Sequence, residues 1–153
     1  MNWLPPPDIK IYEALGAVAD GRVHAEGNTG KVYSSSGNKF YEVRYDAEKQ
    51  AITANDNGSY WKKYLGYPAI AFLMQEGALP YDENLGAALK GVAWKDINQK
   101  FKNDFEKTLE LILKDLSLET RKELEEYVAA TQEKIKLLNF TQLGTTQKPP
   151  EGY

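Results

Sequence analysis

Residues 30–79, GKVYSSSGNKFYEVRYDAEKQAITANDNGSYWKKYLGYPAIAFLMQEGAL, carry three patterns in succession, and their order sets the architecture. Tyr41, Val43 and Tyr45 alternate with Glu42 and Arg44, so residues 39–45 read as a strand with one buried and one wet face. A polar turn at 46–49 leads into a second short run at 50–54, which predicts an antiparallel hairpin. Asn55, Asp56, Asn57, Gly58 and Ser59 form a dense loop signal, and Tyr60, Trp61, Tyr64 and Tyr67 crowd in behind it. Pro68 fits the first turn of a helix, where its missing amide costs little. The apolar run at 69–74 then reads as a buried helix ending near Gly77.

Upstream, Pro5, Pro6 and Pro7 make a stiff lead-in, and Asp8 stands where an N-cap acceptor is expected. Ile9, Tyr12, Leu15 and Val18 recur every three residues and give a helix one apolar face, which Asp20 and Gly21 stop. Residues 22–26 and 30–35 read as two further strands of the same meander. Downstream, a short helix is expected at 82–90. Trp94, Ile97, Phe101, Phe105, Leu109, Ile112 and Leu116 then line one side of a long helix. A second helix is expected at 118–140, capped by Ser117, with Leu124, Val128, Thr131, Ile135 and Leu138 inward. Only mutual contact or docking on the sheet buries both stripes, so the two are expected to fold back as an antiparallel pair. The predicted class is α+β: an N-terminal helix, a small antiparallel β-meander, a short buried helix and a C-terminal antiparallel helical pair. The chain divides into a module at 1–92, the helical pair at 93–143, packed on it or extending from it, and a flexible tail at 144–153.

Composition narrows the function classes. With 153 residues, 42% hydrophobic and 27% charged, the chain is long enough to bury a real core. A net charge of −3 argues against nonspecific coating of nucleic acid, although not against a local basic patch. There is no cysteine, which excludes disulfides, thiolate catalysis and cysteine-based metal sites. The start MNWLPPPD lacks a charged region followed by an apolar run, and the longest apolar stretch, 67–74, is too short to span a bilayer. The expected compartment is the cytoplasm, with no membrane partner.

The order YEALGAVADGRV (12–23), KVYSSSGNKFYEVRYD (31–46) and AITANDNGSYWKKYLGYPAIAFL (51–73) resembles the SWIM domain. This is a small zinc module of archaeal proteins, kinase relatives, transposases and recombination accessory factors. The likeness covers about residues 9–79, roughly half the chain. In that family a Ser-rich segment and a Tyr-x-Val strand lead into a Cys-x-Cys pair, and a Cys-x-His pair opens a helix of Ile-x-Ala-x-Leu character. Here the helix is similar but tighter, with Ile70, Ala71, Phe72 and Leu73, and the four ligand positions fall on Thr53, Asn55, Tyr67 and Ala69. None is a zinc ligand of the usual thiolate or imidazole kind, and the one imidazole of the chain, His24, lies far upstream. The resemblance therefore implies a degenerate module with no metal and no cofactor. Zinc contributes on the order of 10 kcal/mol to isolated fingers, so another cross-link is needed. Trp61, Tyr64 and Tyr67, with Tyr33 or Tyr41, are expected to fill the vacated volume, since large aromatics bury much area.

No catalytic residue is assigned. His24 lacks a positioned partner in the sequence and reads as a half-exposed strand residue. Asp56 with Glu76, or Asp82 with Glu83, could hold magnesium, but their spacing fits caps and turns better. Gly27-Asn28-Thr29-Gly30 and Ser34-Ser35-Ser36-Gly37 lead into strands, which a phosphate loop does not. The candidate surface combines Lys31, Lys39, Arg44, Lys62 and Lys63 with Tyr60 and Trp61, because interleaved cations and rings suit single-stranded nucleic acid. The competing reading places the rings in the core and leaves the lysines to solubilise. A non-catalytic binding or adaptor protein engaging nucleic acid is expected. The alternatives are protein association or homodimerisation through the C-terminal helices, and an enzyme of unknown type.

Overall fold

In the computed structural model, which describes residues 1–151, the chain runs α1 (Asp8–Ala19), β1 (Val23–Glu26), β2 (Thr29–Tyr33), β3 (Phe40–Asp46) and β4 (Ala51–Ala54). A single π-helical turn, Gly58–Lys62, follows. Then come α2 (Tyr67–Glu76), α3 (Glu83–Ala88), α4 (Trp94–Lys100), α5 (Phe105–Leu113), α6 (Leu118–Leu138) and β5 (Thr141–Gln142). The fold is α+β. The sheet order is β1-β2-β3-β4-β5, antiparallel through β4, with β5 added parallel to β4. The predicted hairpin closes with Val43 opposite Ala54 and Asp46 opposite Ala51.

α2 explains why its sequence is apolar all round. One side lies on β1–β4 and the other is covered by α1, so seven consecutive residues from Pro68 to Met74 are buried. Phe72 sits so close to β2 that a Cβ at Gly30 would come within 2.7 Å of its ring. Tyr45 meets the same ring edge-on, with centroids 6.1 Å apart. The helix begins with Pro68 in its first turn and stops at Gly77, whose φ of 83° closes the left-handed cap. α1 lies between α2 on one side and α3 and α6 on the other, which buries more than the single stripe expected: Ile11, Glu13 and Ala14 are interior as well.

Several expectations are corrected. Pro7, extended at φ −57° and ψ 145°, holds the N-cap position of α1, and Asp8 is the first helical residue. The Asp8 carboxylate instead accepts from Gln132 of α6 at 2.9 Å. The long helix across 94–116 is two helices. Consecutive left-handed residues Lys102 and Asn103, at φ 53° and 63°, reverse the chain, and Asp104 caps α5 by accepting from the Lys107 amide. α6 packs its inward residues Leu124, Val128, Thr131 and Ile135 against α1 and α3. Its apolar residues share one core with Ile9, Leu15, Ile52 and Phe72, so this helix is docked on the N-terminal part. The expected tail at 144–153 is laid on the sheet where it begins. Thr146 is buried with its hydroxyl 3.1 Å from that of Thr53, and Arg44 donates to the Thr145 carbonyl. Gly152 and Tyr153 lie outside the described residues. Among the described residues no helix is long and apolar enough to cross a membrane.

The loop at 55–66 is held by a carboxylate and a strand rather than by rings alone. Asp56, 6% exposed, accepts from the Ser59 hydroxyl at 2.6 Å and the Ser59 amide at 3.2 Å. A Cβ on Gly66 would overlap the same carboxyl group. Burial pushes the Asp56 pKa up, although the Ser59 hydrogen bonds pull the other way. The N-terminal segment adds a bridge: the Leu4 amide donates to Lys63 and the Leu4 carbonyl accepts from Leu65. Of the rings expected in the vacated volume, Tyr67 packs edge-on against Tyr41 with centroids 6.0 Å apart. Tyr64 is half-buried. Trp61 is 63% exposed, which corrects its placement in that cluster, and Tyr33 belongs to a different group with His24 and Phe40.

Candidate functional site

Where α1, the β2–β3 turn, the π-helical turn and α4 meet, they leave a groove of about 1000 Å³. α1 supplies Lys10 and Glu13, three residues apart and therefore on one helix face. Arg22 follows α1, Lys39 ends the β2–β3 turn, Trp61 and Lys62 come from the π-helical turn, and α4 with the bend behind it adds Trp94, Lys95, Asn98 and Lys102. Among the described residues six cations thus line a space in which Glu13 is the one carboxylate, on a chain whose overall charge is −3. Such a concentration of one sign in a concavity raises the local density of anions.

The floor is a fixed polar network. Glu13, 3% exposed, accepts from the Lys10 ammonium at 3.2 Å and from the Asn98 side-chain amide at 2.7 Å, which ties α1 to α4. Burial opposes the charge on Lys10, but Glu13 outweighs it and the Lys10 pKa is raised. The Asn98 carbonyl oxygen, the Trp94 indole nitrogen and one guanidinium nitrogen of Arg22 are buried with no hydrogen-bond partner among the described residues. Partial burial and then the neighbouring Lys39 charge pull Lys95 down to about 8. Tyr41 is pushed up to about 12, chiefly by burial, so its phenol stays neutral as a hydrogen-bonding wall of the groove.

The seven residues named from sequence do not form one surface. Lys39, Trp61 and Lys62 line the groove. Tyr60 packs edge-on against Trp61, with centroids 4.7 Å apart, and the Lys63 ammonium lies 5.5 Å from the Tyr60 ring. Lys31 and Arg44 stand on the opposite, open face of the sheet, where Lys31 pairs directly with Glu42. There the Lys31 ammonium lies 4.7 Å over Phe40. That face forms a smaller concavity of about 520 Å³ whose charges, Glu26, Lys31, Glu42 and Arg44, alternate in sign. His24 lies on it too, exposed, in edge contact with Tyr33.

Sequence reasoning missed Lys10, Glu13, Arg22, Lys95, Asn98 and Lys102. One signal was available: Glu13 is a charged residue in the middle of an apolar helix, with a lysine one turn before it. Nothing local marks Asn98 or Lys95. Of the four positions aligned with zinc ligands, Thr53 is bonded to Thr146, Asn55 accepts from the Glu42 amide, Tyr67 packs on Tyr41 and Ala69 is buried in α2. Among the described residues no group of three or more His, Asp or Glu is placed to hold a metal ion.

No curated protein and no solved structure matches this chain. A family model does match it over residues 3–141, from the N-terminal tryptophan that donates to Ile52 to the β5 strand that closes the sheet. Covering nearly the whole described fold, that match shows that the chain belongs to the family described as Uncharacterised conserved protein UCP014422.

Proposed function

We propose that this protein is a non-catalytic binding protein that takes single-stranded nucleic acid into the groove between α1 and α4. The observation that carries the reading is the lining itself: Lys10, Arg22, Lys39, Lys62, Lys95 and Lys102 around one carboxylate, with Trp61 exposed at the same groove. Phosphates meet the ammonium and guanidinium groups, and a base stacks on the indole, a combination that tolerates any sequence because every base has a π face. The role that the SWIM resemblance implies points the same way, as an analogy between folds.

The dimerisation alternative draws less support. The exposed large apolar residues of α6 are Leu118 and Leu137, at its two ends, and they make no continuous patch.

Fluorescence anisotropy with a labelled oligonucleotide of about twelve residues, repeated over a range of salt, tests the proposal. Binding is expected to weaken with a slope of about −0.7 per phosphate neutralised. Trp61→Ala should cost about 1–3 kcal/mol, as loss of a stacking ring does elsewhere. No association at low salt, or equal losses from Lys31→Gln and Lys39→Gln, would remove the groove from consideration.

A further inference from the structure

We propose that Arg22, Lys39 and Lys95 together form a subsite for a phosphate-type oxyanion at the inner part of the groove. The inference rests on the binding role assigned to that groove and names the group bound at one place within it.

Three elements bring these cations together through a single turn. The Ser34 amide donates to the Lys39 carbonyl at 2.9 Å and closes the turn between β2 and β3. Arg22 is anchored to the residue before it, donating to the Tyr33 carbonyl at 2.8 Å. The Lys95 amide donates to the Ser35 hydroxyl at 2.9 Å, which docks the start of α4 on the same turn. Each cation is therefore carried within a few residues of the others, and all three line the groove.

The guanidinium is also held with one edge left over. Its Nε donates to Asp20 at 3.0 Å and its Nη1 to Tyr33, while Nη2 is buried with no partner among the described residues. A rigid planar donor with the N–H groups of one nitrogen unused suits a tetrahedral oxyanion. Partial burial, and after it the like charge of Lys39, lowers the Lys95 pKa to about 8. Like charges held together by a fold are unfavourable, and a bound anion between them relieves the repulsion. Of the nearby carboxylates, Asp20 accepts from Arg22 and the Gly91 amide, and Glu13 accepts from Lys10 and Asn98. Asp96, on the same helix as Lys95, offsets only part of the depression.

The shared chemistry is a phosphate, which can come from a nucleic-acid backbone or from a free phosphate compound. The experiment titrates the full chain with inorganic phosphate at constant ionic strength, following the melting temperature and the heat of binding. The variants are Lys39→Gln and Lys95→Gln, with Lys31→Gln and Arg44→Gln on the open sheet face as controls. Phosphate is expected to stabilise the wild type, and each groove variant should weaken phosphate binding by about tenfold. The controls should stay within about twofold of wild type, in line with distant, screened charges. Without phosphate, Lys95→Gln should melt at the wild-type temperature or above it, because a repulsion has been removed.

Absence of any phosphate effect, or equal affinity in Lys39→Gln and wild type, would overturn the subsite. A parallel titration with the oligonucleotide separates the two readings. Phosphate binding with the expected variant pattern but no oligonucleotide binding supports the subsite, assigns it to a small phosphate compound, and removes the nucleic-acid role. Oligonucleotide binding that responds to Trp61→Ala but not to Lys39→Gln or Lys95→Gln removes the subsite and leaves that role standing.

Discussion

The groove and the open face of the sheet are built from the same kinds of residue, yet they are electrostatically different places. On the open face Lys31 is the cross-strand neighbour of Glu42, and Arg44 donates to the Thr145 carbonyl, so charges of both signs stand side by side there. In the groove Lys10 is paired with Glu13 and Arg22 with Asp20, and after partial burial it is the neighbouring Lys39 charge that lowers the Lys95 pKa. A lysine count therefore says little about binding. What matters is whether the fold interleaves carboxylates among the lysines or collects the lysines around a concavity lined by few of them.

The strongest way to break the contrast is to remove the support of one side alone. Gly66→Ala places a Cβ on the buried Asp56 carboxyl, at the loop that presents Trp61 and Lys62. It should cost at least about 3 kcal/mol in urea denaturation. Next comes Glu13→Ala, which strips the buried partner from Lys10 and Asn98 and should cost about 3 kcal/mol. The matching change on the open face, Glu42→Ala, should stay within about 0.5 kcal/mol, since that side chain is exposed. Equal losses at Glu13 and Glu42 would erase the distinction between the two regions.

Binding changes sharpen it further. Lys62→Gln should reduce oligonucleotide affinity several-fold and lower the salt slope by about 0.7, whereas Lys31→Gln should do neither. The smallest effect is on pH dependence. The folded-state pKa of Lys95 lies at about 8, below its ordinary 10.5, so the unfolded chain binds more protons in between. Stability should therefore rise slightly from about pH 8 to pH 10, and Lys95→Gln should flatten that rise. Above pH 10 the trend reverses, because Tyr41 keeps its proton in the folded state up to about 12. Oligonucleotide affinity should fall as the pH passes through about 8 and Lys95 loses its charge.

Much of the architecture was legible because it depends on near neighbours in the chain. The 41–45 alternation placed Tyr41 and Val43 inward and Glu42 and Arg44 outward. Pro68 and Gly77 marked the two ends of α2, and Asp82 and Ser117 cap α3 and α6 by accepting from Leu85 and Thr120. The break at 101–104 was missed because the 3- and 4-residue spacing of the apolar residues continues across it. There the local turn preference of Asn103 and Asp104 overrides periodicity. The sequence of the tail predicts flexibility because Thr145 and Thr146 look like ordinary polar residues until β3 and β4 supply partners.

The candidate site was legible only in pieces. Lys39, Trp61 and Lys62 were singled out as a basic and aromatic set, but Lys31 and Arg44 were grouped with them although the pleat sends those two to the other face. The one-dimensional order of residues does fix which segments become strands and helices, where they are capped and which faces are apolar, since these follow from contacts a few positions apart. The meeting of Lys39 with Lys95, or of Glu13 with Asn98 across 85 positions, comes from how α4 docks against α1 and the β2–β3 turn. Charge, burial and unsatisfied donors are properties of that docking, and no local pattern in the chain encodes them.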